Sequence, residues 1–316
     1  MTGGSSGAGY DPARMTALSD RPSRREEPAG STGGRTSRTL SLDRSRQARP
    51  RASVWSQRSL IWNFAQRDLK SRFKGTVLGW AWALVVPVAT LATYTLVFSV
   101  IFRTAPPDFG NGRPGNFTVW LMAGLVPWSF FLIAINIAIP TLLANGSLLQ
   151  KIYFPAFVPV IGATIAILVQ TLIEFTILGV ILVILGNIGP TWLLFPIWLG
   201  MFVLFVNGLA ISLAILNVHA RDLAHITSVV LQLLFFLTPI IYPTTVVPES
   251  WHGIPLRAIV AANPLSQFVE DLRDLAYGLA VPDPARWLIL SGWTVGAIIL
   301  AAVVYRRRGQ DIGETI

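Results

Sequence analysis

The chain has 316 residues, 53% of them hydrophobic and only 13% charged, with a net charge of +9 and no cysteine. Soluble domains carry about 25% charged residues, so the composition argues for a membrane protein, and the missing cysteine excludes disulfides, thiolate catalysis and thiolate metal ligands. Residues 1–57 hold ten of the 25 basic and five of the 16 acidic side chains, which leaves no folded basic face for a nucleic acid.

In chain order, the segment up to residue 57 is a basic tail rich in Gly, Ser, Arg and Pro. It lacks the apolar residues needed to offset its ordering entropy, so it is expected to be disordered and solvated on the cytoplasmic side. No apolar core follows its positive charges, so it does not read as a signal peptide. Residues 58–74, "RSLIWNFAQRDLKSRFK", follow a helical period. Ile61, Trp62, Ala65, Leu69 and Phe73 share one face, with Asn63, Arg67, Lys70 and Lys74 opposite, the pattern of a helix lying in the membrane interface.

Six apolar segments follow, at about Val77–Phe102, Phe117–Leu142, Phe157–Leu185, Trp192–Val218, Ile226–Val247 and Arg286–Tyr305. Crossing the roughly 30 Å hydrocarbon layer takes about 20 residues. The predicted fold class is therefore an all-α membrane protein with six transmembrane helices in residues 77–305 and a short cytoplasmic tail at 306–316. Pro127 and Pro140 predict kinks in the second span, and Pro239 and Pro243 interrupt the fifth. The stretch from Pro248 to Asp283 is too polar to span and too apolar for an ordinary loop, so short helices dipping into or lying on the outer leaflet are expected. With the N-terminus inside, ten basic residues flank the cytoplasmic ends (Arg58, Arg67, Lys70, Arg72, Lys74, Lys151, Arg221 and Arg306–Arg308) against five on the other side (Arg103, Arg113, Arg257, Arg273, Arg286). That asymmetry is the positive-inside bias and puts both termini in the cytoplasm.

The chemistry available is sparse. None of Lys70, Lys74 and Lys151 follows the glycines of a phosphate-binding loop, so the chain has no visible means of hydrolysing ATP. His219, Asp222 and His225 are spaced so that the two histidines fall about 120° apart on a helix, a poor arrangement for one ion. They read as a short cytoplasmic helix, and no metal is expected. Glu270 and Asp274 share a face with Arg273 nearby, which reads as a self-paired amphipathic helix at the outer surface. Glu174 is the one carboxylate deep in a span, and such an acid needs a partner or a polar cavity; Gln170, Asn136 and Asn207 are the candidates.

Four stretches, "FAQRDLKSRFKGTVLGWAWALVVPV", "LLQKIYFPAFVPV", "NVHARDLAHITSVVLQLLFFLTPIIYP" and "NPLSQFVEDLRDLAYG", stand in an order that resembles the membrane (permease) subunits of type 2 ABC transporters exporting polysaccharides, the O-antigen, teichoic acid and galactan exporters. The resemblance covers about residues 60–305. It implies a homodimer of this subunit with two copies of a cytoplasmic ABC ATPase, which binds the ATP and Mg, and a lipid-linked glycan driven outward across the bacterial plasma membrane. By the same resemblance, Lys151, Ile152, Tyr153 and Phe154 in the first cytoplasmic loop, and Arg221, Asp222 and Leu223 in the second, would couple to the ATPase. Trp62, Arg67, Lys70 and Phe73 would belong to the interface helix and residues 249–280 to the outer gate. Tyr94, Trp128 and Tyr242, with Glu174, would line the substrate path. Two alternatives stay open: a type 2 ABC exporter of drugs or lipids, and a multispan transferase, which would need a cluster of catalytic acids or histidines at one membrane face.

Overall fold

A computed structural model describes residues 55–73, 81–151, 154–309 and 312. The N-terminal tail, Lys74, the first residues of the first span, and Ile152 and Tyr153 lie outside these. Among the described residues the chain is helical, with no β-strand. The helices are α1 (Arg58–Phe73), α2 (Trp82–Thr95, continued by a π-helical turn over Leu96–Ile101), α3 (Phe117–Ala144), α4 (Gly146–Lys151), α5 (Phe157–Ile184), α6 (Phe195–His219), α7 (Leu223–Leu237), α8 (Leu256–Ala262), α9 (Pro264–Ala276) and α10 (Pro284–Arg308).

Among the described residues, four helical stretches are long and apolar enough to cross a membrane: α3, α5, Pro190–His219 and α10. Shorter apolar helices, Val85–Ile101 and Leu223–Leu237, stand where the first and fifth spans are expected. The fifth stops well before Val247. Pro239 has no N–H to give the helix and disfavours helical backbone in the residue before it, and Thr238 is accordingly extended (φ −94°, ψ 130°). By contrast, α3 runs unbroken through Pro127 and Pro140.

The helix starts have local causes. Asn116 accepts from the Val119 N–H, Asn263 from Leu265 and Asp283 from Ala285. The last two precede a proline at the first helical position, where its missing N–H costs nothing. The core lies where α3, α6 and α9 meet. Phe130, Trp198, Phe202 and Phe268 are fully buried there with ring centroids 4.9–6.3 Å apart. The indole of Trp198 donates to the Phe268 carbonyl at 3.1 Å, so its polar edge is satisfied inside the apolar cluster.

Helix α1 packs against the start of α5. Its buried stripe is Ile61, Phe64 and Ala65, rotated from the face expected on the sequence. Trp62 is 54% exposed and points away. The close approach is possible because position 162 is glycine: a Cβ there would come within 2.6 Å of Phe64 Cβ. Stacking against α5 selects the face that fits the groove, which need not centre on the largest apolar ring.

Candidate functional site

At one end of the bundle lie α1, α4 and the turn between α6 and α7. Asn217 on α6 donates to the Ile139 carbonyl of α3 at 3.1 Å, holding those two helix ends together. Arg67 of α1 reaches Asn145 Oδ1 at 2.9 Å, at the start of the loop that carries Lys151. The same guanidinium sits 4.7 Å from the Phe64 ring and 3.3 Å from Asp68. Phe154 is not a free contact: it is buried, its ring 5.5 Å from Phe64, in a small cluster with Ile61, Phe157 and Val158. It fastens the loop to α1 instead of offering apolar area to a partner.

Lys151, Lys70, Arg221 and Asp222 are exposed, and Leu223 is half-buried. Neither Arg221 nor Asp222 pairs with another described side chain. Asp222 does not cap α7 through its side chain; its backbone carbonyl accepts from Ile226 instead. The His219 ring lies 3.1 Å from the Ile215 carbonyl, so this histidine closes the last turn of α6. Phe73 belongs to α1.

In the middle of the bundle, Tyr94 and Trp128 come together on a residue the sequence reading missed. Phe235 of α7 lies 6.1 Å from the Tyr94 ring and 5.4 Å from Trp128. From Tyr94 the row continues through Phe98, Phe117 and Trp120 at centroid spacings of 5.8–6.2 Å. The i, i+4 spacing of Tyr94 and Phe98 on one helical face was the available signal; nothing in the apolar run of α7 marks Phe235 out. Tyr242 stands outside this row, its hydroxyl donating to the Phe236 carbonyl at 2.7 Å.

Glu174 is separate again. It is buried, hydrogen-bonded to Gln170 one turn earlier on α5, and lines a cavity of about 470 Å³ between α2, α3 and α5. The other two candidate partners are committed elsewhere. Asn136 donates to Leu132, while Asn207 donates to Val203 and accepts from Thr164.

The opposite end is organised by two arginines. Arg273 pairs within α9 as expected, with Glu270, but the helix is not a surface one: α9 is largely buried and Arg273 with it. Its guanidinium donates to the carbonyls of Pro239 and Ile240 at 2.6 Å each and stacks 3.5 Å from the Trp120 ring. Glu270 is 3.7 Å away. The carbonyls freed where α7 breaks thus find a charged donor. A Cβ at Gly124 would approach Arg273 Nη2 to 2.5 Å, so that position is kept small. Arg286, at the start of α10, meets Asp271 and Asp274 of α9 at 2.6 Å each. Tyr277 accepts from the Asn116 N–H and donates to the Pro107 carbonyl.

A bundle of apolar helices, several long enough to cross a membrane, fits a membrane protein, and comparison with known proteins gives its class. Residues 59–277 match the ABC-2 type transporter family, and the chain belongs to it. It is a multi-pass membrane protein. It is 29% identical over 269 residues to the O-antigen export system permease protein RfbA of Myxococcus xanthus, covering 83% of this chain and 97% of that protein. A Klebsiella pneumoniae protein of the same name is 29% identical over 212 residues, 66% of this chain and 76% of its own length. The polysialic acid transport protein KpsM of Escherichia coli is 22% identical over 249 residues, 77% of this chain and 91% of that protein.

Proposed function

We propose that this chain is the permease subunit of an ATP-driven ABC exporter that moves a lipid-linked polysaccharide from the cytoplasmic to the outer face of the plasma membrane. The observation that carries the reading is the match along nearly the whole of an O-antigen export permease, together with membership of the ABC-2 family over residues 59–277. ATP and Mg belong to a separate ATPase, two copies of which work with two copies of this chain.

Six spans with both termini cytoplasmic fit this role. Helix α7 has 15 residues, or about 22 Å at 1.5 Å per residue, short of the roughly 30 Å hydrocarbon layer. The first non-helical residues after it, Thr238, Pro239 and Ile240, are buried, and Arg273 satisfies the carbonyls of the last two. Irregular backbone is tolerated at membrane depth under those conditions, so the segment can complete a crossing. The apolar faces of α2 and α7, including Val86, Val88, Val229 and Leu233, are exposed in the single chain and suit lipid or the second permease. Exposed Lys151, Arg221 and Asp222 at one end supply the contact with the ATPase, Arg221 through a fork-shaped pair with a carboxylate. The aromatic row around Phe235 supplies stacking surfaces along the path.

Deleting the gene and analysing glycans in the cytoplasmic fraction tests the proposal. A lipid-linked polysaccharide should accumulate inside and disappear from the surface, with recovery on complementation. Normal surface glycan in the deletion strain would refute it.

A further inference from the structure

A second cavity, of about 430 Å³, opens at the Arg286 end of the bundle, between the segment after α7, α8, α9 and the start of α10. The chain around it, residues 238–290, is described throughout. The charges on its wall are all matched. Arg257 donates to the Val247 carbonyl and, at 3.2 Å, to Glu249, while Arg286 meets Asp271 and Asp274. Glu270 lies 3.7 Å from Arg273. No guanidinium on the wall is left over for an anion, so an ionic ligand finds no counter-charge there. Two neutral side chains are uncommitted. Ser266 is 1% exposed, and its hydroxyl has no hydrogen-bond partner among the described residues. The side-chain oxygen of Gln267 has none either, although its amide nitrogen donates to the Ala261 carbonyl at 2.8 Å. Buried polar atoms are normally paired; here a serine can give and accept, and the glutamine oxygen accepts. The rest of the wall includes Val260, Ala261 and Ile289. The complement is an uncharged molecule that carries several hydroxyl groups and also C–H faces, which describes a sugar.

We infer that this cavity is a sugar subsite, in which hydroxyls of an uncharged glycan pair with Ser266 and Gln267 while ring C–H groups lie on Val260, Ala261 and Ile289. Its volume is at the small end of the about 300–1,000 Å³ usual for ligand pockets, so it takes a short stretch of a longer chain. The site is distinct from the aromatic row around Phe235, none of whose residues lines it. The inference rests on the exporter reading, which supplies the glycan and puts α9 at the outer face. There the subsite would hold the glycan as it leaves the bundle.

The test uses the full chain in cells that make the glycan, with the photo-crosslinker p-benzoylphenylalanine in place of one residue. Ile289 and Ala261 line the cavity; Leu288, beside Ile289 on α10 and 74% exposed, does not. After irradiation the permease is purified, stained for carbohydrate on a gel, and its adducts are identified by mass spectrometry. Probes at Ile289 and Ala261 should capture glycan, and the probe at Leu288 should not. With the probe at Ile289, Ser266→Ala should lower the adduct roughly fivefold, the scale of one hydrogen bond. It should not lower the melting temperature, because that hydroxyl pairs with nothing in the protein. Ala261→Trp, which fills the rim and leaves Ser266 intact, should block the adduct. No glycan adduct at either cavity position, phospholipid adducts in its place, or an adduct unchanged by Ser266→Ala and Ala261→Trp would overturn the subsite. Surface glycan is measured in the same cells. Gene-dependent surface glycan without an adduct removes the subsite and leaves the exporter reading standing, whereas surface glycan that survives deletion of the gene removes both.

Discussion

Arg273 and Glu174 are both charged residues inside an apolar bundle, and their surroundings give them different roles. Arg273 is enclosed by fixed acceptors, the carbonyls of Pro239 and Ile240 and the face of Trp120. Arg273→Met should lower the thermal stability of the detergent-solubilised protein, since each buried carbonyl left without a donor costs about 1–3 kcal/mol. Arg273→Lys should recover only part of this, because an ammonium cannot span both acceptors. Gly124→Ala presses on the same guanidinium and should cost about 1–3 kcal/mol by overpacking. Measured with Arg273→Met in a double-mutant cycle, the two changes should be less than additive; full additivity would mean that Gly124 and Arg273 do not constrain each other. Glu174 has one polar partner, Gln170, and open space beside it. Glu174→Gln keeps a bond to Gln170 and should be mild. Glu174→Leu removes that bond, worth about 0.5–1.5 kcal/mol, and should impair assembly or export. Wild-type export and melting by both variants would show that neither the charge nor the bond matters.

At the scale of elements, the loop between α3 and α5 joins a fixed part to an exposed part. Phe154 is buried against Phe64, and Arg67 holds Asn145 at 2.9 Å, while Lys151 is exposed. Phe154→Ala should therefore act through folding, with a lowered melting temperature and a loss toward the low end of the about 3–5 kcal/mol seen for Phe→Ala in cores. Arg221→Ala should behave otherwise. The protein should insert and melt normally, yet co-purify poorly with its ATPase or hydrolyse ATP without exporting glycan, on the scale of about 2 kcal/mol for an interface anchor. Arg221→Lys should be partly defective too. Wild-type co-purification and export by Arg221→Ala would remove the α6–α7 turn from the coupling surface. Helix α1 shows what one-dimensional patterning can resolve. Its position was legible from the spacing of its apolar and charged residues, but its buried face was not, because Phe64 is favoured over Trp62 only by the groove that Gly162 opens on α5.

For the whole molecule, the lack of cysteine makes topology directly measurable. Single cysteines near positions 110 and 188 should react with an impermeant thiol reagent added outside intact cells, and those near 148 and 312 should not; the reverse pattern would invert the orientation. Much of this architecture was written in the sequence. Hydrophobic runs of sufficient length, interrupted by charge and by Gly, Pro and Asn, specify where apolar helices begin and end, since backbone groups in hydrocarbon must be satisfied within their own segment. Capping by Asn116, Asn263 and Asp283 is likewise local. The partners of the charges were not legible. Arg273 is 34 residues from Pro239, the residue whose carbonyl it holds, and Arg286 belongs to a different helix from Asp271 and Asp274. Phe235 joins Tyr94 to Trp128 across three helices. Sequence periodicity orients a side chain about its own helix axis; only the packing of helices against one another decides which distant group it meets.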